Sequence, residues 1–433
     1  MSAPTINARA AATEIARRLQ QAGHVAYFAG GCVRDHLLGH DPEDFDVATD
    51  ATPEEVRRIF PKAQGVGAAF GVMLVRLEGH IIEVATFRSD GPYSDGRRPD
   101  EVIYADAEHD ALRRDFTING LFEDPVTGEV IDHVQGQQDM RERVLRAIGN
   151  PDDRLREDRL RMLRAVRFAA RYGLSIDPDT ARAIREGAGQ LDGVSRERIG
   201  NEIRRMLSHP SRVRAVELLV ELGLDDVIFR EKAAQPSMRR LAGLPSAAWW
   251  ITALAAWWLD RHEAATPSPG TSGSPGAAEP TSAYPDIRQS ARCLVLSNEE
   301  RAELAATLAV RMTILRDWRD MAVAAKKRLA VREVFTAALD LVAVDDAPLA
   351  EQVKRDVADL GRTPSGLSPA PLLTGDDLIE AGHRPGPAFA RVLEAVYDVQ
   401  LEDRIATRAA ALSLAAELMA DGGAAADSGR TGS

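Results

Sequence analysis

Two aspartates separated by one residue, Asp44 and Asp46, are the first residues in the 433-residue sequence whose spacing suggests chemistry. They fall in an alternating polar and apolar stretch, Asp44 to Ala48, which predicts a strand with both carboxylates on one face. Carboxylate oxygens in this arrangement can hold a Mg²⁺ ion that bridges nucleotide phosphates. Taken alone, the pair is more typical of a solvated acidic turn. The neighbouring sequence is therefore needed to choose between such a turn and a metal site.

A glycine pair, Gly30-Gly31, precedes the aspartates and follows a short apolar run that predicts a strand. Residues Val33 to Leu38 then predict the opening of a helix. Backbone N–H groups at such a turn can approach a phosphate with no Cβ in the way, and Arg34 supplies a cation for the same anion. Together with Asp44 and Asp46, this arrangement predicts a combined triphosphate and metal site.

The second cluster is Arg113-Arg114-Asp115. As part of the same site, Arg114 would bind phosphate, and Asp115 would be a third carboxylate that assists metal binding or activates an attacking hydroxyl. Glu83, on a predicted strand, is the alternative third carboxylate. Taken alone, an Arg-Arg-Asp run is more often a surface patch of ion pairs.

The third cluster lies on a predicted helix from Leu155 to Tyr172. Charged residues recur there every three positions and form a stripe along one side, namely Asp158, Arg161, Arg164 and Arg167. A carboxylate can accept from the amino group of cytosine or adenine, and a guanidinium can donate to their ring acceptors, whereas guanine and uracil present the opposite pattern. A salt-bridged helix surface, with Glu157 and Arg161 paired, is the alternative interpretation.

The elements that must position these clusters change character near residue 150. The preceding residues alternate short helices and strands, including a hairpin formed by Val72 to Leu77 and Ile81 to Phe87, and the following residues show helical periodicity almost throughout. The pattern predicts an α+β N-terminal region with a small mixed sheet, followed by an all-α region. Residues 264–285 are rich in Pro, Gly and Ser and predict a flexible insertion, and the end from residue 421 is predicted to be disordered.

The composition limits the class of protein and of partner. The net charge is −12, from 54 basic and 66 acidic side chains, so any nucleic-acid site must be local. Residues 141–214, with 18 arginines against 11 acidic residues, are the basic region. Two cysteines and the lack of a long apolar run argue against a disulfide framework and a membrane span. We expect a cytoplasmic protein with no membrane partner, whereas the oligomeric state is not predicted.

Four motifs in this order and spacing resemble the class II nucleotidyltransferases, the family of bacterial CCA-adding tRNA nucleotidyltransferases and poly(A) polymerases. The motifs are Gly30 to Thr49, Glu83 to Arg88, Arg113 to Gly120, and Glu157-Asp158-x-x-Arg161 with the arginine-rich helix that follows. The resemblance covers about half of the chain, and four ordered motifs are far more specific than any one of them.

The resemblance implies a role for each candidate residue. Asp44 and Asp46 would bind the catalytic Mg²⁺ ions, and Asp115 would be the third acidic residue. The nucleotide-binding residues would be Gly30, Gly31, Arg34 and Arg114, together with a protein template for the base formed by Glu157, Asp158 and Arg161 and continued by Arg164 and Arg167. Residues Ser195 to Ile199 and Glu202 resemble the family element that supports the template helix.

The resemblance also implies an organisation and an activity. It predicts a catalytic head over residues 1–150, a template and RNA-binding neck over 151–215, a helical body over 216–365 with the insertion 264–285, and a helical, tRNA-binding tail over 366–433. The implied activity is addition of CCA to the tRNA 3′ end from CTP and ATP.

Alternatives to full CCA addition are a poly(A) polymerase, a CC-adding or A-adding partial enzyme, and a catalytically silent RNA-binding relative. Residues Arg88 to Pro99 resemble a flexible loop that is shortened in CC-adding members, and this chain has it at full length. Poly(A) polymerases of the family tend to carry a basic C-terminal extension, whereas this C-terminal region is nearly neutral and rich in alanine. Both observations favour full CCA addition.

Overall fold

A computed structural model describes the chain in two compact units. The residues that it describes are 7–42, 44–66, 71–90, 102–233, 237–262 and 287–427. The first unit comprises residues 1–232 with 292–295, and the second comprises 233–291 with 296–433. The predicted insertion 264–285 and most of the predicted loop 88–99, from residue 91 onward, lie outside the described residues.

A mixed sheet forms the centre of the N-terminal part of the first unit. Its strands are β1 (Ala26–Ala29), β2 (Val47–Thr49), β3 (Gln64–Gly65), β4 (Val72–Leu77), β5 (His80–Thr86), β8 (Leu121–Glu123) and β9 (Val130–Asp132). Two short pairs complete the strands of this unit, β6 (Arg88–Asp90) with β7 (Val102–Tyr104) and β10 (Val144–Leu145) with β11 (Ser175–Ile176). The seven-stranded sheet has the order β3-β4-β5-β2-β1-β8-β9, with β2 and β5 parallel and the other pairs antiparallel. This confirms the predicted small mixed sheet.

Helices surround this sheet and then continue without it. Those of the N-terminal part are α1 (Ala8–Gln21), α2 (Gly31–Leu37), α3 (Pro53–Ile59), α4 (Ala107–Leu112) and α5 (Gly136–Glu142). They are followed by α6 (Pro151–Glu157), α7 (Arg161–Tyr172), α8 (Pro178–Gly187), α9 (Arg196–Leu207), α10 (Arg212–Glu221) and α11 (Asp225–Phe229). The change of architecture near residue 150 is therefore present, although both parts belong to one compact unit. The boundary between head and neck at residue 150 stays a prediction.

The predicted hairpin is confirmed as β4 and β5, which pair antiparallel from Val72 opposite Ala85 to Leu77 opposite His80. The turn at Gly79 has a φ of +86°, a conformation that glycine adopts without strain. The second strand begins one residue earlier than predicted, at His80, and this register places Glu83 opposite Leu74.

Two predicted elements have different bounds in the structure. Strand β2 begins at Val47, so the Asp44 and Asp46 carboxylates come directly before the strand instead of within it. The predicted helix from Leu155 to Tyr172 is wrong as one element, because it is interrupted between α6 and α7. Asp158 is extended there, with φ −145° and ψ 104°, and its side chain accepts from the Leu160 amide at 3.0 Å. Such a local side-chain to backbone bond competes with the helix.

The second unit is helical over its described residues. Its helices are α12 (Arg239–Gly243), α13 (Trp250–Arg261), α14 (Ile287–Cys293, whose last two residues are counted with the first unit), α15 (Asn298–Asp317), α16 (Val323–Ala330), α17 (Phe335–Asp345), α18 (Ala347–Gly361), α19 (Gly375–Glu380), α20 (Pro387–Leu401) and α21 (Arg408–Asp427). One apolar cluster around Trp318 joins α15 to α18, and another around Val396 joins α19 to α21.

Helix α21 extends to Asp427 and so includes the first residues of the end that was predicted to be disordered from residue 421. That disorder stays a prediction. Alanine has the highest helix propensity, so an alanine-rich end can prolong a helix. Residues 428–433 lie outside the described part of the chain. Within the described part, none of the helices has the length and apolarity that a membrane span requires.

Candidate active site

The two aspartates of the predicted metal site precede β2 and point to the same side. Asp44 and Asp46 are exposed, whereas Phe45 between them is buried and packs against Phe28 with ring centroids 5.3 Å apart. The backbone is held at this point because the Ala29 amide donates to the Asp46 carbonyl at 3.1 Å. The alternation therefore extends beyond the strand itself and places both carboxylates together, as predicted.

Glu83 adds a third negative charge to this pair. It lies on β5 beside Val84, which is in parallel register with Val47 of β2. Partial removal from water, and then repulsion by the Glu83 and Asp44 carboxylates, raise the pKa of Asp46 to about 6. The Asp46 side chain still meets solvent, so a diffusible cation can reach this negative site.

Asp115, the first candidate for the third carboxylate, is buried and already forms an ion pair and hydrogen bonds within the protein. It is 7% exposed, and its Oδ2 accepts from Arg164 Nε at 2.8 Å. Its Oδ1 accepts from the Phe116 amide and from Asn119 Nδ2, both at 2.9 Å. Despite its burial, these cationic and hydrogen-bonding partners lower the pKa of Asp115 to about 2. Glu83 therefore fits the third-carboxylate role better than Asp115.

Gly30 and Arg114 meet at the turn between β1 and α2. Gly30 has a φ of +67°, and a Cβ at this position would lie 2.8 Å from Arg114 Nη1. The Arg114 guanidinium is held by Asp110 at 2.9 Å and by the Asn119 carbonyl at 3.0 Å, over the ring of Phe122. The positive φ therefore favours glycine at this position, and a Cβ here would displace the Arg114 guanidinium from its partners.

Asp110 is a positioning residue that the sequence analysis missed. Its buried carboxylate accepts from Arg113 at 2.7 Å and from Arg114 at 2.9 Å. Although burial acts to raise the pKa of Asp110, the two guanidinium groups hold it below its usual value. The spacing of three and four residues between this aspartate and the two arginines is the signal that could have identified it.

Arg34 is buried and fixed by polar and aromatic contacts. Its Nη1 donates to Asn119 Oδ1 at 2.6 Å and its Nε donates to Asp35 at 2.9 Å. The guanidinium carbon lies 4.6 Å from the ring centroid of Tyr172 and 5.1 Å from that of Phe168. Tyr172 in turn donates from its hydroxyl to Asp35 at 2.8 Å. The cation predicted to bind phosphate is thus held in a defined orientation.

Four of the predicted residues line one cavity of about 550 Å³, which we call the carboxylate cavity. They are Gly31, Arg34, Asp44 and Asp46. The remaining lining residues, which the sequence analysis did not assign, are Cys32, Asp35, His40, Asp41, Arg171, Tyr172 and His209. The cavity is within the size range of small-molecule sites and combines carboxylates with fixed cations, an arrangement suited to a metal-bound polyphosphate.

The residues of the predicted base template take part in three ion pairs around the break between α6 and α7. Arg161 Nη1 donates to Glu157 Oε2 at 2.5 Å, and Arg154 donates to the same oxygen at 2.9 Å. Asp158 instead pairs with Arg198 of α9 at 2.7 Å. The predicted Glu157–Arg161 pair is confirmed, and both template carboxylates are held by more than their own helix.

The predicted continuous stripe is wrong, because Asp158 lies outside α7 and the arginines that follow have separate partners. Arg164 pairs with Asp115, and Arg167 pairs with the buried carboxylate of Glu202 at 2.6 Å. Stacking on the ring of Phe168 further fixes Arg167, whose guanidinium carbon is 4.2 Å from the ring centroid. These contacts make Arg164 and Arg167 links between elements, and their predicted nucleotide contacts remain untested.

Comparison with known proteins shows which families and enzymes the chain is similar to. Residues 26–146 match the Poly A polymerase head domain, and residues 173–235 match the domain described as "Probable RNA and SrmB- binding site of polymerase A". The CCA-adding enzyme of Geobacillus stearothermophilus is 44% identical over 212 residues, 49% of this chain and 52% of that protein. The CCA-adding enzyme of Geobacillus thermodenitrificans is 46% identical over 211 residues, 48% of this chain and 52% of that protein.

The crystal structure of the Bacillus stearothermophilus CCA-adding enzyme in complex with CTP is similar over nearly the whole chain. It aligns with a TM-score of 0.72 and 29% identity, covering 98% of this chain and 100% of the other. The two domain matches and the similarity to CCA-adding enzymes support the class II nucleotidyltransferase family. In sequence, the chain spans about half the length of the curated relatives that it matches.

Nucleotidyltransferases generally use a divalent metal ion, and the carboxylates here fit one. Hard oxygen donors suit such cations. The pKa of Asp46 is raised first by burial and then by the negative charges of Glu83 and Asp44, and a bound cation would offset this repulsion. Among the described residues, no three His, Cys, Asp or Glu side chains come together as a ready-made metal site. The Asp44–Asp46 pair is therefore the part of the candidate site whose donor atoms fit a divalent cation.

Proposed function

We propose that this chain is a CCA-adding tRNA nucleotidyltransferase, which adds C, C and A to the tRNA 3′ end from CTP and ATP and releases pyrophosphate. The observation that supports this most directly is the carboxylate cavity, where Asp44 and Asp46 face the same space as Arg34 and Gly31. The similarity to CCA-adding enzymes, over about half of the chain in sequence and nearly all of it in structure, supports the same activity. Both cysteines are free and buried, which supports a cytoplasmic site of action.

The proposed reaction is in-line attack of the RNA 3′-hydroxyl on the α-phosphate of the nucleotide. The bond between O3′ and the α-phosphorus forms, the bond from that phosphorus to the bridging oxygen breaks, and pyrophosphate leaves. Asp44 and Asp46 would hold Mg²⁺, which when bound stabilises the charge on the phosphate oxygens. Arg34 and Arg114 would bind the phosphates, and the Glu83 carboxylate would take the hydroxyl proton.

Base selection is assigned to Glu157, Asp158 and Arg161. A carboxylate that accepts from the amino group of cytosine or adenine, beside a guanidinium that donates to their ring acceptors, rejects uracil and guanine. The pairing of Glu157 with Arg154 and of Asp158 with Arg198 restrains these carboxylates, and fixed partners discriminate better than mobile ones.

The activity is tested with tRNA transcripts that end before CCA, after C or after CC. Each is incubated with Mg²⁺ and CTP, ATP or both, and the products are resolved to single nucleotides. Arrest after C, C and A supports the proposal. Asp44→Asn and Asp46→Asn are expected to lower transfer at least 100-fold, whereas Asp359→Asn, which changes an exposed carboxylate of the second unit, leaves it unchanged. Full activity in either cavity variant would overturn the metal assignment.

The template is tested by the Arg161→Ala variant. Since a single hydrogen-bonded contact contributes about 1–3 kcal/mol of discrimination, incorporation of UTP or GTP relative to CTP is expected to rise about tenfold or more. The Arg156→Ala variant is the matched control, because Arg156 is an exposed arginine of α6 paired with Asp153. Unchanged selectivity in the Arg161→Ala variant contradicts a protein template.

A poly(A) polymerase is the second candidate, favoured by the match of residues 26–146 to the Poly A polymerase head domain. The transcript assay separates the two, because a poly(A) polymerase extends an open-ended adenosine ladder. Addition of C and C alone, or of A alone to the CC end, indicates a partial enzyme. No incorporation on any transcript indicates a silent RNA-binding relative.

A further inference from the structure

A second cavity, of about 510 Å³, lies beside the carboxylate cavity, and we call it the neck cavity. It is bordered by α7, α9 and the start of α10. Its basic lining residues are Arg167, Arg171, Arg204, Arg205 and His209, and the remaining lining residues are small, apolar or hydroxyl-bearing. None of the described residues that line this cavity is acidic. Such a cavity favours an anion.

Arg171 and His209 line both cavities. On one side of them, the carboxylate cavity contains Asp44 and Asp46, the proposed cation site. On the other side, the neck cavity continues with arginines. The sign of the charge therefore changes across these two residues, from carboxylates that would hold a cation to guanidinium groups that would hold phosphate.

Arg171, at this junction, has no carboxylate partner among the described residues. It is exposed at the end of α7, and in the described part of the chain its only assigned contact is with the ring of Tyr172, 5.5 Å from the guanidinium carbon. Two other arginines of the neck cavity are engaged by Glu202, Arg167 at 2.6 Å and Arg205 at 3.2 Å. The guanidinium of Arg171 is thus available for a bidentate contact with a phosphate.

His209 presents a second donor at the same place. Its Nδ1 accepts from the Ser211 amide at 3.2 Å, so the neutral ring carries its proton on Nε2. Burial, and then the charge of Arg171, lower the pKa of His209 and favour this neutral form. An Nε2–H group beside a guanidinium can bind two oxygens of one phosphate without adding a second full charge.

We propose that Arg171 and His209 bind the phosphodiester nearest the 3′ end of the RNA and thereby direct the 3′-hydroxyl towards Asp44 and Asp46. This inference rests on the proposed nucleotidyl transfer. A strand of RNA carries successive phosphates, which matches a basic cavity that continues away from the carboxylates. The triphosphate of the nucleotide shares this chemistry, but Arg34 and Arg114 already provide its cations.

The proposal is tested with tRNA transcripts ending in CC, using the full-length chain. Arg171→Ala and His209→Ala are each expected to raise the KM for tRNA about tenfold, with the KM for ATP changed less than twofold. Arg171→Lys is expected to raise the KM for tRNA less than Arg171→Ala does, because lysine keeps the positive charge but lacks the bidentate fork. Arg185→Ala is the matched control, since Arg185 is an exposed arginine of α8 that lines neither cavity and, within the described part of the chain, donates to the Glu221 backbone carbonyl alone.

A neutral methylphosphonate at single positions of the RNA identifies the phosphate involved. Placed at the last linkage, it is expected to weaken RNA binding to the wild-type protein about tenfold and to add less than twofold to the Arg171→Ala defect. Placed three linkages further from the 3′ end, it is expected to affect both proteins equally. Equal and independent losses at the last linkage would overturn the assignment.

The remaining outcomes are also decisive. A raised KM for ATP with an unchanged KM for tRNA would assign the two residues to the nucleotide triphosphate and overturn the proposal, as would no change in either KM. Binding of the RNA is measured by fluorescence anisotropy without nucleotide, so it does not depend on transfer. If the wild-type protein transfers no nucleotide, the proposed function fails, whereas the methylphosphonate comparison still decides whether Arg171 contacts the terminal phosphate.

Discussion

The ion pair of Asp115 with Arg164 indicates that this aspartate has a structural role, and one variant can separate that role from a catalytic one. The perturbation is Asp115→Asn, which removes the charge and keeps the size of the side chain. In the folded protein the pKa of Asp115 is about 2, against an ordinary value of 3.8, and one pKa unit corresponds to 1.36 kcal/mol. The carboxylate therefore stabilises the first unit by about 2 kcal/mol at neutral pH.

Loss of the Asp115 charge also leaves the positive charge of Arg164 without its counterion. Breaking a fully buried pair costs about 3–5 kcal/mol, but the Arg164 side chain is 33% exposed and can regain water. We therefore expect Asp115→Asn to destabilise the first unit by about 2–3 kcal/mol. Asp152→Asn, which breaks the exposed pair with Arg182, is the control and is expected to cost less than about 1 kcal/mol.

Hydrogen exchange of the first-unit amides measures this loss directly. All five tryptophans, at positions 249, 250, 257, 258 and 318, lie in the second unit, so their fluorescence during urea unfolding is an internal control that should not change. Because the folded-state pKa is lowered, the stabilisation is present above about pH 4 and is lost as the pH falls towards 2. The difference between Asp115→Asn and the wild-type protein should shrink over the same range.

The nucleotide-transfer rate completes the test. At a temperature where both proteins are folded, Asp115→Asn is expected to retain transfer within about tenfold, whereas Glu83→Gln is expected to lose about 100-fold or more, as befits loss of an acid or base. An Asp115→Asn protein that is as stable as wild type and inactive would refute the structural role and restore Asp115 as the third catalytic carboxylate.

Two further predictions concern Gly30 and Asp46. Gly30→Ala places a Cβ 2.8 Å from Arg114 Nη1 and is expected to raise the KM for CTP and ATP about tenfold. Gly39→Ala is the control, because Gly39 has a φ of +75° and open space around it. It imposes similar backbone strain of about 1–2 kcal/mol and is expected to leave both KM values unchanged. Equal KM values for the two variants would exclude the contact with Arg114. In the metal-free protein, carbon-13 NMR of labelled aspartate is expected to show one carboxyl titrating near pH 6, which Asp46→Asn removes and Glu83→Gln shifts downward. A titration unaffected by Glu83→Gln would contradict the charge coupling.

Local sequence signals predicted the parts of the site that depend on one stretch of chain. The glycine turn before α2 is confirmed because the positive φ of Gly30 and the adjacent Arg34 follow from residues a few positions apart. The orientation of Asp44 and Asp46 is confirmed because Phe45 between them packs inward. In both cases, alternation or turn chemistry determines the geometry before any distant residue is considered.

Local sequence patterns were insufficient where the partner of a site residue comes from a distant strand or helix. Glu83 comes beside Asp46 only because β5 pairs in parallel with β2, and no local pattern reports that register. Asp115 was predicted to be a third carboxylate of the site, but α7 brings Arg164 to it from 49 residues away. The break at Asp158 was missed because helical periodicity continues on both sides of it, while a side-chain bond to the Leu160 amide ends the helix locally.

The contacts of α7 explain why residues that resemble substrate ligands bind one another in the free protein. Arg161 also reaches the Arg113 carbonyl, at 3.5 Å, and Arg164 reaches Asp115, so α7 is fastened to the segment that carries Arg114. These bonds fix side chains that would otherwise have to be ordered when the nucleotide binds, which reduces the entropic cost of binding. Arg171 lies at the other end of the same helix with no such partner. This contrast within one helix favours a scaffold role for the paired arginines and a substrate contact for the unpaired one.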